Sequence, residues 1–257
     1  MLKNGSVSDR TILFYASRGA SMAIEVFDES CGGPADFISL ALMSGVLKIG
    51  NFKTKAGRST PYFFNAGDFC NGESLSNASD FYADLLVKRF GSEVLEQCVL
   101  FGPAYKGIGL VHTISVALFE AYGLKVKCAY NRKEAKDHGE SGSFVGASMK
   151  DMPVIIAEDV MSTGETKREA VKMITAQGGK IIGCVVGLDR LERGENPFLT
   201  GRQEFEELFG VPMYAIATTM DIIEALTWPQ WGNTTQESIA NIKAYLQEYG
   251  PVPGKPD

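Results

Sequence analysis

The chain has 257 residues, of which 45% are hydrophobic and 22% charged, and its formal net charge is −6. This composition is typical of a globular protein and excludes a mainly disordered chain, and α/β folds reach this length as one unit, so we expect a single sizeable core. The negative charge argues against a broad nucleic-acid-binding surface, although a local basic cluster can still bind an anion.

The N-terminal segment differs from the rest of the chain. Its first 21 residues, MLKNGSVSDRTILFYASRGAS, carry Ser, Arg and Lys with a single acid and show no periodicity. The stretch is too short and too weakly amphipathic for a transit peptide. We therefore expect residues 1–33 to be an extension, disordered or foreign to the natural protein up to residue 21, with Met22 as a natural start. Residues 34–257 are expected to form one domain.

Beyond Pro34 the apolar periodicity predicts regular elements. They are, in chain order, helix 36–45, strands 46–52 and 60–67, helix 75–91, strand 98–101, helix 107–122, strands 125–130 and 153–159, helix 165–177, strands 180–188 and 213–218, helix 220–226 and a C-terminal helix in 234–250. Strands that alternate with helices indicate βαβ units, and hence an α/β fold with a mostly parallel central sheet flanked by helices.

The C-terminal helix shows the pattern of a packing element. Thr234 and Glu237 have the spacing of a capping box, and Ile239, Ile242 and Leu246 share one face with Tyr249. We expect this helix to contribute packing only.

The cysteines indicate the compartment. There are five, widely spaced and without a CxxC pair, and the chain has only two histidines, so neither a disulfide framework nor a zinc site is expected. This pattern favours a reducing compartment, and we predict the cytoplasm. No stretch of about 18 uncharged apolar residues occurs, which argues against a membrane span.

The segment VIIAEDVMSTGETKREA (154–170) carries the first functional signal. Its strand ends on Glu158 and Asp159, and ligands of a parallel sheet bind at the carboxyl ends of strands. Two acids there should meet a cation, a metal or sugar hydroxyls, because burying them without partners is costly. The following MSTGET leads into a helix N-terminus that suits a phosphate. Acids that can bind hydroxyls, next to backbone amides that can bind a phosphate, together indicate a site for a ribose 5-phosphate. The glycine spacing of a Walker P-loop is absent.

The segment NRKEAKDHGESGSFVGA (131–147) carries the second signal. Arg132, Lys133, Lys136 and His138 concentrate up to four cations within seven residues of a chain whose net charge is −6. The glycines that follow would let a loop move and close over a polyphosphate. A solvated hairpin balanced by its own acids is the alternative.

These two segments, together with KAGRSTPYFFNAG (55–67) and FGPAYKGI (101–108), resemble the orotate phosphoribosyltransferases of the type I phosphoribosyltransferase family. The resemblance runs from about Phe37 to the C-terminal helix, in the family's order and spacing. It implies the type I phosphoribosyltransferase fold, with a small hood near residues 34–70 and a mobile loop at 131–147. It also implies transfer of ribose 5-phosphate from 5-phospho-α-D-ribose 1-diphosphate to orotate, giving orotidine 5′-monophosphate and pyrophosphate in UMP biosynthesis.

The resemblance assigns roles on the phosphate side. Lys133, Lys136, His138 and Asp159 would be catalytic. The diphosphate substrate would be bound by Lys133, Lys136 and His138 of the loop. It would also be bound by a further set of residues: Lys55, Tyr105, Lys106, Arg132, Glu158, Asp159, Val160, Met161, Ser162, Thr163, Gly164, Glu165 and Thr166. Within this set, Glu158 and Asp159 would hold the ribose hydroxyls, and 160–166 the 5-phosphate through backbone amides. Mg²⁺ is implied as the cofactor, held mainly through substrate oxygens with no direct protein ligand assigned.

On the acceptor side, orotate would be bound by Phe63, Phe64, Ser162 and Arg190. The Arg190 guanidinium would face the carboxylate of the base, since this fork can donate two parallel hydrogen bonds to a carboxylate. Without the resemblance, Phe63 and Phe64 would be interpreted as one core and one surface aromatic of a strand. Glu158 and Ser162 stand where many relatives carry Asp and Thr, and both keep the functional group.

Two other functions remain open at this point. A purine phosphoribosyltransferase would keep the 154–170 segment, and a non-catalytic sensor of phosphoribosyl diphosphate would not need Lys133, Lys136 and His138 together. The resemblance also implies a homodimer in which the loop reaches the neighbouring site, but the sequence alone does not separate this arrangement from a loop that closes on its own chain. No nucleic-acid or membrane partner is expected.

Overall fold

The structure is a computed structural model that describes residues 32–53, 57–132, 143–231 and 235–253. Several predictions concern residues outside these ranges: the extension up to residue 31, Lys55, the loop residues Lys133, Lys136 and His138, and the capping residue Thr234. No helix within the described ranges is long and apolar enough to cross a membrane.

The strands form two sheets. An antiparallel hairpin pairs β1 (Leu47–Lys53) with β2 (Ser59–Phe64). The central sheet contains β3 (Val99–Gly102), β4 (Lys127–Asn131), β5 (Phe144–Gly146), β6 (Pro153–Met161), β7 (Lys180–Asp189) and β8 (Met213–Thr218). Its order is β5-β4-β3-β6-β7-β8, and only the edge strand β5 runs antiparallel to its described neighbour. The predicted α/β fold with a mostly parallel sheet is confirmed.

The helices cover both faces of the central sheet. Those within the described ranges are α1 (Pro34–Met43), α2 (Gly72–Phe90), α3 (Ser92–Gln97), α4 (Lys106–Tyr122), α5 (Glu165–Ala176), α6 (Gly201–Phe209), α7 (Thr219–Ala225) and α8 (Thr235–Tyr249). Short 3₁₀ turns occupy Ala66–Asp68 and Pro229–Trp231.

Local signals explain where the longer helices begin and end. The Asn71 side chain accepts a hydrogen bond from the N–H of Ser74 and caps α2, which ends at Gly91. Gly123, in the left-handed conformation, ends α4.

The core is divided by the central sheet into two layers. One layer packs α1, α2, α4 and α7 on one face of the sheet, and the other packs α5 and α6 on the opposite face. Along β6, Ile155 and Ala157 belong to the first layer, whereas Val154 and Ile156 belong to the second. Because successive side chains of a strand alternate, Glu158 and Asp159, the next two residues of β6, lie on different faces of the sheet.

Two cysteines are buried as small hydrophobic side chains. Cys98 and Cys184 lie fully inside these layers, and burial raises the pKa of each thiol to about 12. Cys70 is exposed and Cys128 half-buried; all four are free.

The structure differs from the predicted elements in several places. It adds α3, α6 and the three-residue strand β5, which were not predicted. The strand predicted at 60–67 ends at Phe64, because Ala66–Asp68 form a 3₁₀ turn. The structure also extends β6 two residues past Asp159, because Val160 and Met161 continue to pair with Leu188 and Asp189 of β7. The turn that follows the strand is therefore confined to residues 162–164.

Candidate active site

Two carboxylates stand near the carboxyl end of β6, one on each face of the sheet. Asp159 accepts a hydrogen bond from Lys106 Nζ at 2.9 Å. Glu158 forms an ion pair with Lys167 Nζ at 2.5 Å and lies 3.4 Å from the Thr166 hydroxyl. The sequence predicted that these acids would meet cations, a metal or hydroxyls, and within the described chain each of them meets a lysine.

Each residue of the Glu158–Lys167 ion pair makes a further hydrogen bond that fixes its position. Lys167 is only 3% exposed, and its ammonium also donates to the carbonyl of Val160. The hydroxyl of Tyr82 donates to the carbonyl of Glu158 at 2.9 Å. Burial, with Asp159 and Glu158 nearby, raises the pKa of Tyr82 well above its ordinary value, so this hydroxyl remains a donor. Neither Lys167 nor Tyr82 was identified from the sequence.

The turn after β6 exposes a helix N-terminus. Gly164 caps α5 with a φ of 80°, a conformation that favours glycine, and it has no side chain to cap the first turn. The first N–H groups of any helix lack intrahelical partners, so those at Glu165 and Thr166 are suited to an anion. A Cβ placed on Gly201, the first residue of α6, would lie 1.9 Å from the carbonyl oxygen of Ser162. The start of α6 therefore packs directly against this turn.

The loop between β3 and α4 contains Tyr105 and Lys106. Its ends approach so closely that a Cβ on Gly102 would lie 2.0 Å from the Gly107 carbonyl oxygen. The Ala104–Tyr105 peptide bond is cis, and the Ala104 N–H donates to Asn131 Oδ1 at 2.8 Å. The Lys106 ammonium donates to Asp159, while Tyr105 is 65% exposed.

The structure describes the two ends of the predicted mobile loop, at Arg132 and Ser143, which we call the neck. The N–H of Arg132 donates to the carbonyl of Ser143 at 2.7 Å, and Asn131 pairs with Phe144 where β4 and β5 run antiparallel. Because Asn131 also holds the Ala104 N–H, the neck is tied to the Tyr105 loop. Lys133, Lys136 and His138 lie between the two sides of this neck, outside the described residues.

The hairpin carries the two predicted base-binding aromatics. Phe63 is 39% exposed and lies near Phe52, with 5.7 Å between the ring centroids. Phe64 is buried and lies near Phe37, with 6.3 Å between the centroids. One of the pair is thus a surface aromatic and the other a core aromatic, an arrangement that also agrees with the interpretation that needs no ligand.

Arg190 follows the last residue of β7. Its N–H donates to the carbonyl of Met161 at 3.0 Å, which places it beside the turn after β6. Its guanidinium is 4.5 Å from the Tyr62 ring centre, and Nε donates to Glu192 at 2.6 Å. Burial alone lowers the pKa of Arg190, but Tyr62, Glu192 and Tyr245 more than offset it, so the pKa is raised and the group stays charged.

The structure therefore gathers most of the described candidates at one edge of the central sheet. Lys106, Glu158, Asp159 and the 162–166 turn meet at the ends of β3 and β6, and Arg190 lies one strand further on. His112, which its apolar helix sequence places in the core or at an interface, is exposed on α4 and so is not in the core. Within the described ranges, no three His, Cys, Asp or Glu side chains form a cluster that could hold a metal.

Comparison with known proteins agrees with this arrangement. The phosphoribosyl transferase domain matches residues 77–212. The orotate phosphoribosyltransferase of Acinetobacter baumannii (strain ATCC 17978) is 42% identical over 217 residues, which cover 84% of this chain and 96% of that protein. That of Chromobacterium violaceum is 45% identical over 218 residues, with the same shares covered.

A solved structure gives the same result. The crystal structure of the orotate phosphoribosyltransferase of Francisella tularensis has a TM-score of 0.70 and 36% identity, covering 84% of this chain and 99% of that one. The resemblance found in four short segments is thus confirmed along most of the chain. Because the described motifs meet at the ends of β3, β6 and β7 and these relatives match over nearly their whole length, the chain belongs to the orotate phosphoribosyltransferases of the phosphoribosyltransferase family.

Proposed function

We propose that this chain transfers ribose 5-phosphate from 5-phospho-α-D-ribose 1-diphosphate to orotate, giving orotidine 5′-monophosphate and pyrophosphate for UMP synthesis. The observation that carries the proposal is the place of Arg190. This buried cation is hydrogen-bonded through its own N–H to Met161, directly before the turn suited to a phosphate. A base that carries a carboxylate would meet its counter-charge next to the ribose phosphate.

The ribose side uses the acids of β6. Glu158 and Asp159 would accept hydrogen bonds from the ribose hydroxyls, and the 5-phosphate would lie on the backbone amides of residues 160–166, chiefly those at the start of α5. Lys106 and Lys167 keep the two carboxylates paired before substrate binds. The lysines would then share these oxygens with the sugar.

The reaction develops positive charge on the sugar ring and negative charge on the departing pyrophosphate. Preorganised cations at the leaving group are the largest available source of catalysis. We assign this task to Lys133, Lys136 and His138 of the loop, with Arg132 at its neck. Lys55, Tyr105 and Lys106 would bind the diphosphate from the opposite side.

Mg²⁺ fits this site as a cation shared with the substrate. The carboxylate oxygens of Glu158 and Asp159 are the hard donors that magnesium prefers, but they face opposite sides of the sheet and each is paired with a lysine. We therefore propose that the ion is held mainly by oxygens of the diphosphate and the ribose. When bound, it would neutralise charge on the leaving group.

Phe63, Phe64 and Ser162 would complete the acceptor site. The aromatics lie on the hairpin strand that also supplies Thr60, and the Thr60 hydroxyl accepts a hydrogen bond from Arg190 at 2.9 Å. The base would contact this strand largely through backbone groups, with the carboxylate directed to Arg190.

We further propose a homodimer in which the mobile loop enters the neighbouring site. The support is an exposed face of α4 that carries Val116 and Phe119, both more than half exposed, next to His112. A helix face with large apolar side chains is typical of an interaction surface. The neck at Arg132 and Ser143 joins β4 to the edge strand β5, and the loop between these residues would reach the site of the second copy.

Two coarser proposals concern the whole chain. We propose that residues 34–257 fold as one domain, including the hood at about 34–70, and that 1–33 is an extension; the contact between Thr60 and Arg190 supports the inclusion of the hood. We also propose the cytoplasm as the compartment, supported by the four described cysteines, all of which are free.

The reaction is tested by following the loss of orotate absorbance in the presence of phosphoribosyl diphosphate, with and without Mg²⁺. We expect turnover of orotate that depends on the metal. Adenine and hypoxanthine serve as competing acceptors, and we expect no turnover of either. Faster turnover of a purine than of orotate would contradict the proposed acceptor, and binding of the diphosphate without any turnover would indicate a sensor.

A further inference from the structure

Arg190 is surrounded by polar groups from a nearby residue and from two distant parts of the chain. Its Nε donates to Glu192 Oε1 at 2.6 Å, and its Nη2 donates to Thr60 of the hairpin at 2.9 Å and to the Tyr245 hydroxyl at 3.3 Å. Tyr245, on α8, donates in turn to the same Glu192 oxygen at 2.6 Å. All four residues are buried. We call this group the arginine clamp.

The backbone of Arg190 is fixed as well. The Thr219 hydroxyl donates to the Arg190 carbonyl at 2.9 Å, and it lies 2.7 Å from the hydroxyl of Tyr62. The Tyr62 ring, in turn, faces the guanidinium. Both the main chain and the plane of the guanidinium are therefore held in one orientation.

The clamp leaves one nitrogen of the guanidinium for a ligand. Within the described ranges, the polar contacts of this group use Nε and Nη2, and none of them uses Nη1. Because Nη2 carries two N–H groups and already has two acceptors, Thr60 and Tyr245, the two N–H groups of Nη1 are those that can donate to a second carboxylate. Glu192 does not belong to Arg190 alone, because its other oxygen lies 3.9 Å from Arg58.

A role limited to stability is a weak explanation for such a group. Buried ion pairs often stabilise a fold no better than apolar side chains of the same volume, because the charges must be desolvated. Packing of α8 would need only the ring of Tyr245 and not its hydroxyl. What the hydroxyl adds is a fixed position for Glu192 and, through it, for Arg190.

We propose that Glu192 and Tyr245 are positioning residues that hold Arg190 in the orientation that selects an acceptor ring bearing a carboxylate. The proposal rests on the proposed function of Arg190 and adds two residues to it. It assigns α8 a part in acceptor selection, in contrast to the packing role expected from its sequence pattern. Selection would be lost when the clamp is loosened, even with Arg190 in place.

The test uses substitutions that keep shape. Tyr245→Phe removes only the hydroxyl, and Glu192→Gln removes only the charge. Tyr249→Phe is the matched control: it makes the same change on the same helix, next to Tyr245, and among the described residues Tyr249 makes no contact with Arg190. Two ligands are compared, orotate and its neutral carboxamide analogue orotamide, which keeps the ring but lacks the negative charge.

We expect Tyr245→Phe to raise the KM for orotate about five- to tenfold, the effect of losing one hydrogen bond beside a charged group. Glu192→Gln should raise it further. The inhibition constant of orotamide, the KM for phosphoribosyl diphosphate and the Tm should change little in Tyr245→Phe. All four quantities should match the wild type in Tyr249→Phe.

A double-mutant cycle separates the proposed role of Tyr245 from that of Arg190. If Tyr245 acts through Arg190, Tyr245→Phe adds no further loss of orotate preference in an Arg190→Ala background. The preference for orotate is the inhibition constant of orotamide divided by the KM for orotate. If this preference were unchanged in Tyr245→Phe and Glu192→Gln but reduced in Arg190→Ala, the clamp would be overturned and the proposed role of Arg190 kept. An unchanged preference in Arg190→Ala would overturn both.

Discussion

At the scale of single residues, the site depends on charges that are paired before substrate arrives. Lys106 and Lys167 pair with the two acids of β6, and Glu192 pairs with Arg190. The Glu158 carboxylate reaches a lysine on α5. This pair is the more buried of the two on β6, so its loss should be felt in stability as well as in binding.

We predict that Lys167→Met lowers the free energy of unfolding by about 3 kcal/mol, because it leaves the Glu158 carboxylate without its cation in a mostly buried position. Chemical denaturation measures the change. Lys172→Met, on the exposed face of the same helix, is the matched control and should have little effect. Adding Glu158→Leu to Lys167→Met should recover part of the loss; equal effects of the two lysine substitutions would refute a stabilising pair.

The sequence identified the types of residue in the site but not their partners. Glu158 and Asp159 were found because they end a predicted parallel strand, and Arg190 was found through the family resemblance. Lys167, Glu192 and Tyr245 were missed, since the contacts that define them are made in three dimensions; Tyr245, for example, is 55 residues from Arg190 along the chain. Local periodicity contains no information about such pairs.

At the scale of elements, the long helices and buried strands were predicted because their apolar patterns are strong. The strand β5 was not, since its three residues are extended only through pairing with β4. A signal for α6 was present but not used: Thr200 and Gln203 form a capping box, and Gly210 in the left-handed conformation ends the helix.

The missed helix α6 has a consequence for binding. Its first residue, Gly201, packs so closely on the carbonyl of Ser162 that any side chain must displace the turn. We predict that Gly201→Ala raises the KM for phosphoribosyl diphosphate about tenfold or more, since overpacking of this kind costs about 1–3 kcal/mol. Steady-state kinetics below the Tm of the variant measures the effect.

The control for this change is Gly72→Ala at the start of α2. A Cβ there would meet nothing within 4 Å, so the same chemical change should leave the KM unaltered. If Gly201→Ala lowered only the Tm, with wild-type kinetics in the molecules that remain folded, α6 would support the fold without shaping the phosphate turn.

At the scale of the whole molecule, the cations of the site are opposite in sign to the net charge of the chain. The chain has a net charge of −6, yet it is proposed to bind two anionic substrates. Lys106 and Arg190 place cations at the described site, and we propose that Arg132, Lys133 and Lys136 of the loop add more. A local concentration of cations of this kind can attract an anion in spite of the net charge.

The place of the loop in the assembly leads to the last prediction. If the loop serves the neighbouring site, two inactive variants should restore each other. Asp159→Asn impairs the ribose site and keeps a good loop, whereas Lys136→Ala keeps the site and impairs the loop. After random exchange in a symmetric dimer, half of the dimers are mixed and one of their two sites is intact, so about a quarter of wild-type activity should return.

Exchange of subunits has to be shown directly, by mass or by labelling, before the activity of the mixture is compared with that of each variant alone. A mixture of two differently labelled Asp159→Asn preparations is the control, and it should stay inactive however completely it exchanges. If the loop closed on its own chain, every site in every dimer would still carry a lesion. Activity no higher than the average of the two variants would then refute the shared loop and make Arg132, Lys133, Lys136 and His138 a lid over their own site.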